Sequence, residues 1–192
     1  MRIDHVIWKA ADLDRGAEHI ADTYGLSDDG GGRHVGIGTH NRVFPLGGGY
    51  LEVLAVADPQ EAARSPLGQA IVDAPEGLFG WAVAVDDVVA HADRLSLEVT
   101  TIARDDLTAR LAGVQEAMAD HWLPFFIQRD AGVADPGAHG DAGGISALEL
   151  AADAERLERW IGGAQLPLRL ADDDNGPRGL RALVLGSGLV IS

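Results

Sequence analysis

A chain of 192 residues has the length of one domain, or of two small ones, and can bury a substantial core. Thirty acidic residues against fifteen basic ones give a formal charge of −15, which repels phosphate backbones and argues against a nucleic-acid partner. With no cysteine there is no disulfide, thiolate nucleophile or zinc finger, and no apolar run reaches the ~20 residues of a membrane span. The opening MRIDHVIWKAADLD carries acids where a secretory signal needs an apolar core, so a cytoplasmic protein is expected. Lys9 is the sole lysine, an arginine bias that fits GC-rich bacterial coding.

The first predicted strand runs from Ile3 to Trp8. Asp12 caps a helix to Tyr24, in which Leu13, Ala17, Ile20 and Tyr24 recur at helical spacing before Gly25 closes it. A polar, glycine-rich stretch from Gly30 to Arg42 follows. It is neither a P-loop nor a G-x-G-x-x-G turn. Arg42 to Val53 reads as strand, tight glycine turn, strand. Pro59 to Ala74 reads as a helical linker, Trp81 to Val85 as a strand and Asp86 to Leu95 as a helix. Leu123 to Gln128 reads as a dense apolar strand with its partner near Gly113 to Ala119. Residues 130–144 are loop. Ile145 to Leu150 is a strand, and Asp153 to Ile161 a helix with Leu157 and Ile161 on one stripe, ended by Gly162 and Gly163. Residues 171–176 read as a solvated turn, and Arg181 to Ser192 repeats the hairpin spacing of Arg42 to Val53.

The repetition predicts an α+β fold in a single domain, 1–192. It is built from βαβββ modules of about 1–58, 78–130 and 144–192.

Two ionisable residues stand in apolar rows: His5 between Ile3 and Ile7, and Glu52 among Tyr50, Leu54 and Val56. Period-two geometry puts each row on one face of its strand. A titratable group there is costly unless it is paired, binds a metal or faces a cavity. The matching hairpin of the last module has Ile191 where Glu52 stands, so packing alone accepts an aliphatic residue. The plain alternative is that His5 and Glu52 bond only each other or water at a strand edge. His40 and Asn41 begin the strand that pairs with the Glu52 strand, and one of them must share its face. Alternation with Arg42, Phe44 and Leu46 favours His40. Arg33 and His34 are candidate donors in the polar loop, against a plain polar-loop reading. Gln128 is the one polar member of its strand and a candidate for a pocket. His19, His91, His121 and His139 read as surface residues. Glu149 falls on a module's first strand, not its fourth.

Ile-Asp-His-Val-Ile-Trp, Asp-Leu-Asp opening a helix, Gly-Gly-Arg-His-x-Gly-x-Gly-Thr-His-Asn and Gly-Tyr-Leu-Glu-Val-Leu-Ala-Val together resemble a glyoxalase-like domain of the vicinal oxygen chelate superfamily. The resemblance is clearest over residues 1–58, and Leu123-Pro-Phe-Phe-Ile-Gln128 is similar too. It implies a cupped mixed sheet with helices outside, and often a divalent metal (Zn, Ni, Mn or Fe) in the cup. Carried over, His5 and Glu52 occupy two metal-ligand positions; His40, on the neighbouring strand, could supply a third, with Gln128 or water filling in. Glu52 and His40 become catalytic groups, and Arg33, His34, Asn41 and Gln128 bind substrate. The middle module lacks the matching ligands, since its strands offer Gly80, Trp81, Ala82, Phe126 and Gln128. The implied function is metal-assisted lyase, isomerase or dioxygenase chemistry on a small oxygenated metabolite. The alternative is a metal-free drug- or metabolite-binding protein, as in bleomycin resistance. The expected partner is a small molecule, with no nucleic acid, no membrane, and a homodimer as one arrangement of the sheet.

Overall fold

The computed structural model describes residues 1–104, 107–171 and 176–192. The first module is β1 (Arg2–Lys9), α1 (Leu13–Tyr24), β2 (Arg33–His34), β3 (Thr39–Pro45) and β4 (Tyr50–Val56). Helices α2 (Pro59–Ala62) and α3 (Pro66–Asp73) lead to the second. That module is β5 (Gly77–Ala84), α4 (Val88–Leu95), β6 (Val99–Arg104), β7 (Leu107–Ala112), α5 (Val114–Ala119) and β8 (Phe125–Arg129). A closing unit holds β9 (Ile145–Ala151), α6 (Ala154–Ile161), β10 (Leu168–Leu170), β11 (Gly179–Leu185) and β12 (Val190–Ile191).

Eight strands form one mixed sheet in the order β2-β3-β4-β1-β5-β8-β7-β6. In each module the first strand lies parallel to the last, β1 beside β4 and β5 beside β8, and β1 joins β5 antiparallel at the centre. The sheet curls until its two edges, β2 and β6, touch. Its outer face packs α1 against β3 and β4, α4 against β7 and β8, and β11 of the closing unit against β5. One large core fills this side, with Val6, Leu51, Val53, Trp81 and Val83 of the sheet meeting Ile20, Leu157 and Leu183. A smaller core on the inner face joins Ile7, Leu54, Phe79, Phe125 and Ile127 to Ile71 of α3 and Ala117 of α5. Helices α3 and α5 therefore sit inside the cup.

Local chemistry explains several boundaries. Asp12 accepts from the Arg15 N–H, and Gly25 closes α1 at φ 68°, a left-handed geometry that glycine reaches without strain. The predicted helical linker is two helices, because Ser65 caps a new start at Pro66, which has no N–H to continue the old ladder. The strand expected near Gly113 to Ala119 is helix α5: Gly113, at φ 77°, turns the chain straight out of β7. The partners of β8 and its module are instead β7 and β6.

The closing unit has the expected order of strand, helix and three strands but a different pairing. Its sheet runs β10-β9-β11-β12, so β10, not the last strand, lies parallel to β9. Strand β12 pairs with β11 at Leu183↔Ile191, so Ile191 is not the positional counterpart of Glu52. Most of the turn predicted at 171–176 lies outside the described residues. The 130–144 loop straps the β3–β4 turn: Gly47 and Gly48 donate to the carbonyls of His139 and Gly137. A Cβ on Gly137 would lie 2.3 Å from the Gly49 backbone, so only glycine allows this approach.

Candidate functional site

The inner face encloses a cavity of about 370 Å³. Its first-module wall is set by β1, β3 and β4, which present His5, Asn41, Tyr50 and Glu52. The second-module wall is apolar apart from its rim, with Leu111, Phe125 and Ile127 facing inward and Arg129 at the end of β8. Val35, in the β2–β3 turn, stands at the mouth with 79% of its surface exposed.

The polar wall is a connected chain of groups. Between Ile3 and His5 the β1–β5 register slips, which leaves Asp4 as an extra residue and re-aims its side chain. Asp4 is fully buried, and its Oδ2 lies 2.7 Å from His5 Nδ1. Arg129 grips the same carboxylate with both terminal nitrogens and donates to the Tyr50 hydroxyl at 3.2 Å. Burial alone would raise the Asp4 carboxyl. The hydrogen bonds from Arg129 and His5, with their charges, outweigh it and hold Asp4 well below the usual carboxylate range. Burial likewise works against the Arg129 guanidinium, and the bond and charge of Asp4 more than restore it.

A carboxylate only accepts, so Nδ1 of His5 carries the proton and Nε2 looks into the cup. The ring is held flat against Tyr50, centroids 4.7 Å apart, with the Phe125 ring at its edge. Glu52 is 7% exposed; its Oε1 accepts from Asn41 Nδ2, and its Oε2 lies 3.6 Å from His5 Nε2. That distance exceeds a hydrogen bond, so the two groups face the same point of the cavity without closing on each other.

Of the residues singled out in the sequence, His5, Glu52, Asn41 and His34 line the cavity. His34 Nδ1 is 2.9 Å from Thr39 Oγ1. His40 does not join them. Val43 pairs with Glu52 and Asn41 with Leu54, so the odd-numbered residues of β3 share the Glu52 face. The even-numbered residues turn outward: Arg42 pairs with Asp14 and Asp28, and His40 feels the charges of Asp14 and Asp12. Gln128 also turns away. Its Oε1 accepts from Val88 N and its Nε2 donates to the Asp86 carbonyl, which ties β8 to the start of α4. Arg33 is exposed and bound to Glu61 and Asp58. Glu149 pairs with Arg169 on the closing unit.

Residues 3–164 match the model of a family described as a glyoxalase-like domain. The chain belongs to the glyoxalase-like domain family. A hypothetical protein from Staphylococcus aureus shares the fold at 19% identity and a TM-score of 0.66, over 98% of this chain and 83% of that one. A methylmalonyl-CoA epimerase in complex with methylmalonyl-CoA and NH4+ is similar at 20% identity and TM-score 0.54, over 68% of this chain and 95% of that one. A Streptomyces coelicolor methylmalonyl-CoA epimerase variant in complex with 2-nitronate-propionyl-CoA gives 20% identity and TM-score 0.56, over 70% and 98%. Curated protein sequences give no match. Among the described residues, no helix is long and apolar enough to cross a membrane.

The resemblance implies a divalent metal in the cup, and the donor set of this glyoxalase-like protein does not fit one. Among the described residues no three His, Asp or Glu side chains are grouped to hold an ion. His5 and Glu52 supply two donors where catalytic sites use about three protein ligands. The second module adds none. Counted back from the helix caps Asp12 and Asp87, His5 corresponds to Gly80. Glu52, which pairs with Ile7, corresponds to Phe125, which pairs with Ala82. The side-chain oxygen of Asn41 already accepts from Gly32 N. His40, the expected third ligand, is on the other face.

Sequence reading missed Asp4, Arg129 and Tyr50. An acid next to a base on a predicted strand, and an arginine ending an apolar one, were the available signals.

Proposed function

We propose that the cup takes up a small oxygenated organic molecule and that Glu52, with His5, moves a proton on it. The observation behind this reading is the convergence of Glu52 Oε2 and His5 Nε2, 3.6 Å apart, on a mostly apolar cavity. Asp4 and Arg129 fix the imidazole from behind, the arrangement that keeps a general base aimed. An acidic C–H beside a carbonyl would give its proton to the Glu52 carboxylate while the electron pair moves onto the carbonyl oxygen. Return of the proton to the same or a neighbouring carbon completes an epimerisation or isomerisation. Asn41, bonded to Glu52 Oε1, leaves Oε2 as the oxygen that reacts. The methylmalonyl-CoA epimerases that share the fold are compatible with this reaction class. The mostly apolar second wall favours a second reading, a metal-free binding protein that sequesters its ligand.

The test is proton washout in D2O, with hydroxyacetone, acetoin and dihydroxyacetone as probes followed by proton NMR. General-base catalysis at the right geometry contributes on the order of 10²–10⁴-fold, and Glu52→Gln should remove that acceleration. Probe binding with no exchange above the Glu52→Gln level would leave the sequestering reading.

A further inference from the structure

We infer that the cup selects a ligand that donates hydrogen bonds, a neutral hydroxyl compound or an ammonium ion, and turns away carboxylates and phosphates. This rests on the reading of the cup as a ligand site and names the chemistry of what enters it. In the Nδ1–H tautomer, whose proton Asp4 accepts, His5 shows the cavity a lone pair at Nε2. Glu52 Oε2 shows another, 3.6 Å away. Asn41 Nδ2 is already given to Glu52 Oε1. A ligand N–H or O–H placed between the two acceptors would serve both, whereas an anionic oxygen there would meet two lone pairs.

The charge count points the same way. Among the described residues lining the cavity, Arg129 is the one arginine or lysine, and both its terminal nitrogens are on Asp4. Two carboxylates, Asp4 and Glu52, against that one guanidinium leave one negative charge over when the imidazoles of His5 and His34 are neutral. Arg2 reaches Asp4 Oδ1 from the exposed side at 3.7 Å but is bound more closely by Asp135, so this second guanidinium comes with a further carboxylate and leaves the balance unchanged. Arg33 is committed to Asp58 and Glu61, and Arg42 to Asp14 and Asp28 on the outer face. The whole chain adds a field of −15. Phe125, Ile127 and Leu111 then suit an apolar body behind the donating end.

Phenethylamine, phenethyl alcohol and hydrocinnamate present one apolar body with a cationic, neutral or anionic head. Binding of each to the full chain is measured by NMR titration at about pH 8, where imidazoles are ordinarily neutral. Salt at about 0.15 M confines surface charge effects to roughly 8 Å. The amine and the alcohol are expected to shift cavity resonances, with hydrocinnamate more than about tenfold weaker than the amine. In Glu52→Gln the amine-to-carboxylate gap should shrink to less than about threefold. Hydrocinnamate within about threefold of the amine on the parent protein would overturn the inference while leaving the cup a binding site. An unchanged gap in Glu52→Gln would overturn it as well. Absence of binding by all three would overturn the ligand-site reading and this inference with it. The parent's own ranking decides the matter even if Glu52→Gln fails to fold.

Discussion

In the first module the positions that look into the cup carry His5 on β1 and Glu52 on β4, whereas in the second the corresponding positions carry Gly80 and Phe125. Strand order and pairing are the same in both, so the backbone treats them as equivalents. At these positions it is the side chains that differ. The first wall spends buried polarity on Asp4, His5 and Glu52, with Arg129 reaching Asp4 from the rim of the second. The second spends the same positions on packing. The cup thereby gains one polar side and one mostly apolar side instead of the ring of ligands that a metal would need from both.

That contrast can be broken most severely at Asp4. Asp4→Ala leaves the mostly buried Arg129 without its anion and should cost about 3–5 kcal/mol in urea unfolding. The intact protein should show the same linkage with pH. The folded Asp4 carboxyl is depressed, so its contribution is complete above the unfolded carboxylate value, about 3.9. It is lost as pH falls below that, because the unfolded chain then binds the proton more readily. Acid unfolding followed by circular dichroism should accordingly be shallower in Asp4→Asn, once corrected for that variant's lower starting stability.

On the apolar side, Phe125→Ala should cost about 3 kcal/mol, toward the low end for a phenylalanine because the ring already borders a cavity. Glu52→Gln should stay within about 1 kcal/mol of the parent while losing proton-transfer activity. Equal losses in the two variants would mean that both walls serve packing alone.

Gly80→His tests the comparison in the constructive direction. A Cβ there would meet Met118 and Ile7, both on the cavity wall, at 3.7 and 3.8 Å, so a side chain enters the cup without a backbone clash. With His5 and Glu52 it would make a third donor, and Ni²⁺ or Zn²⁺ should bind at least about tenfold more tightly than to the parent in a calorimetric titration. The smallest effect is expected at Gln128→Ala. Loss of its bonds to Val88 and Asp86 should cost about 1 kcal/mol and leave ligand binding unchanged. A change in ligand affinity would put Gln128 back in the site.

Much of the architecture could be read from local signals. Asp12 and Gly25 mark the ends of α1, the glycine turn marks the β3–β4 hairpin, and His5 and Glu52 stand out as titratable groups in apolar rows. These features depend on residues near each other in sequence, where capping and period-two alternation operate. The choice between His40 and Asn41 needed the length of the hairpin loop. Residues 46–49 form an even-numbered connection, so paired residues have opposite parity, and Val43, not an even-numbered neighbour, meets Glu52. Alternation within one strand cannot supply that parity.

Three features arose only when distant segments met. The slip in register at Asp4 exists because β1 pairs with β5 some eighty residues later, and it brings a residue that alternation would send outward into contact with His5. Gln128 looked like a pocket residue until the N-terminus of α4 took both ends of its amide. The closing hairpin matched the first in spacing, yet β10 took the place beside β9 that a last strand holds in the other modules. Sequence spacing determined which segments become strands, helices and turns, and which polar residues would be expensive to bury. Strand pairing decided which of them face one another, because a hydrogen-bond register is a property of two segments and neither carries it alone.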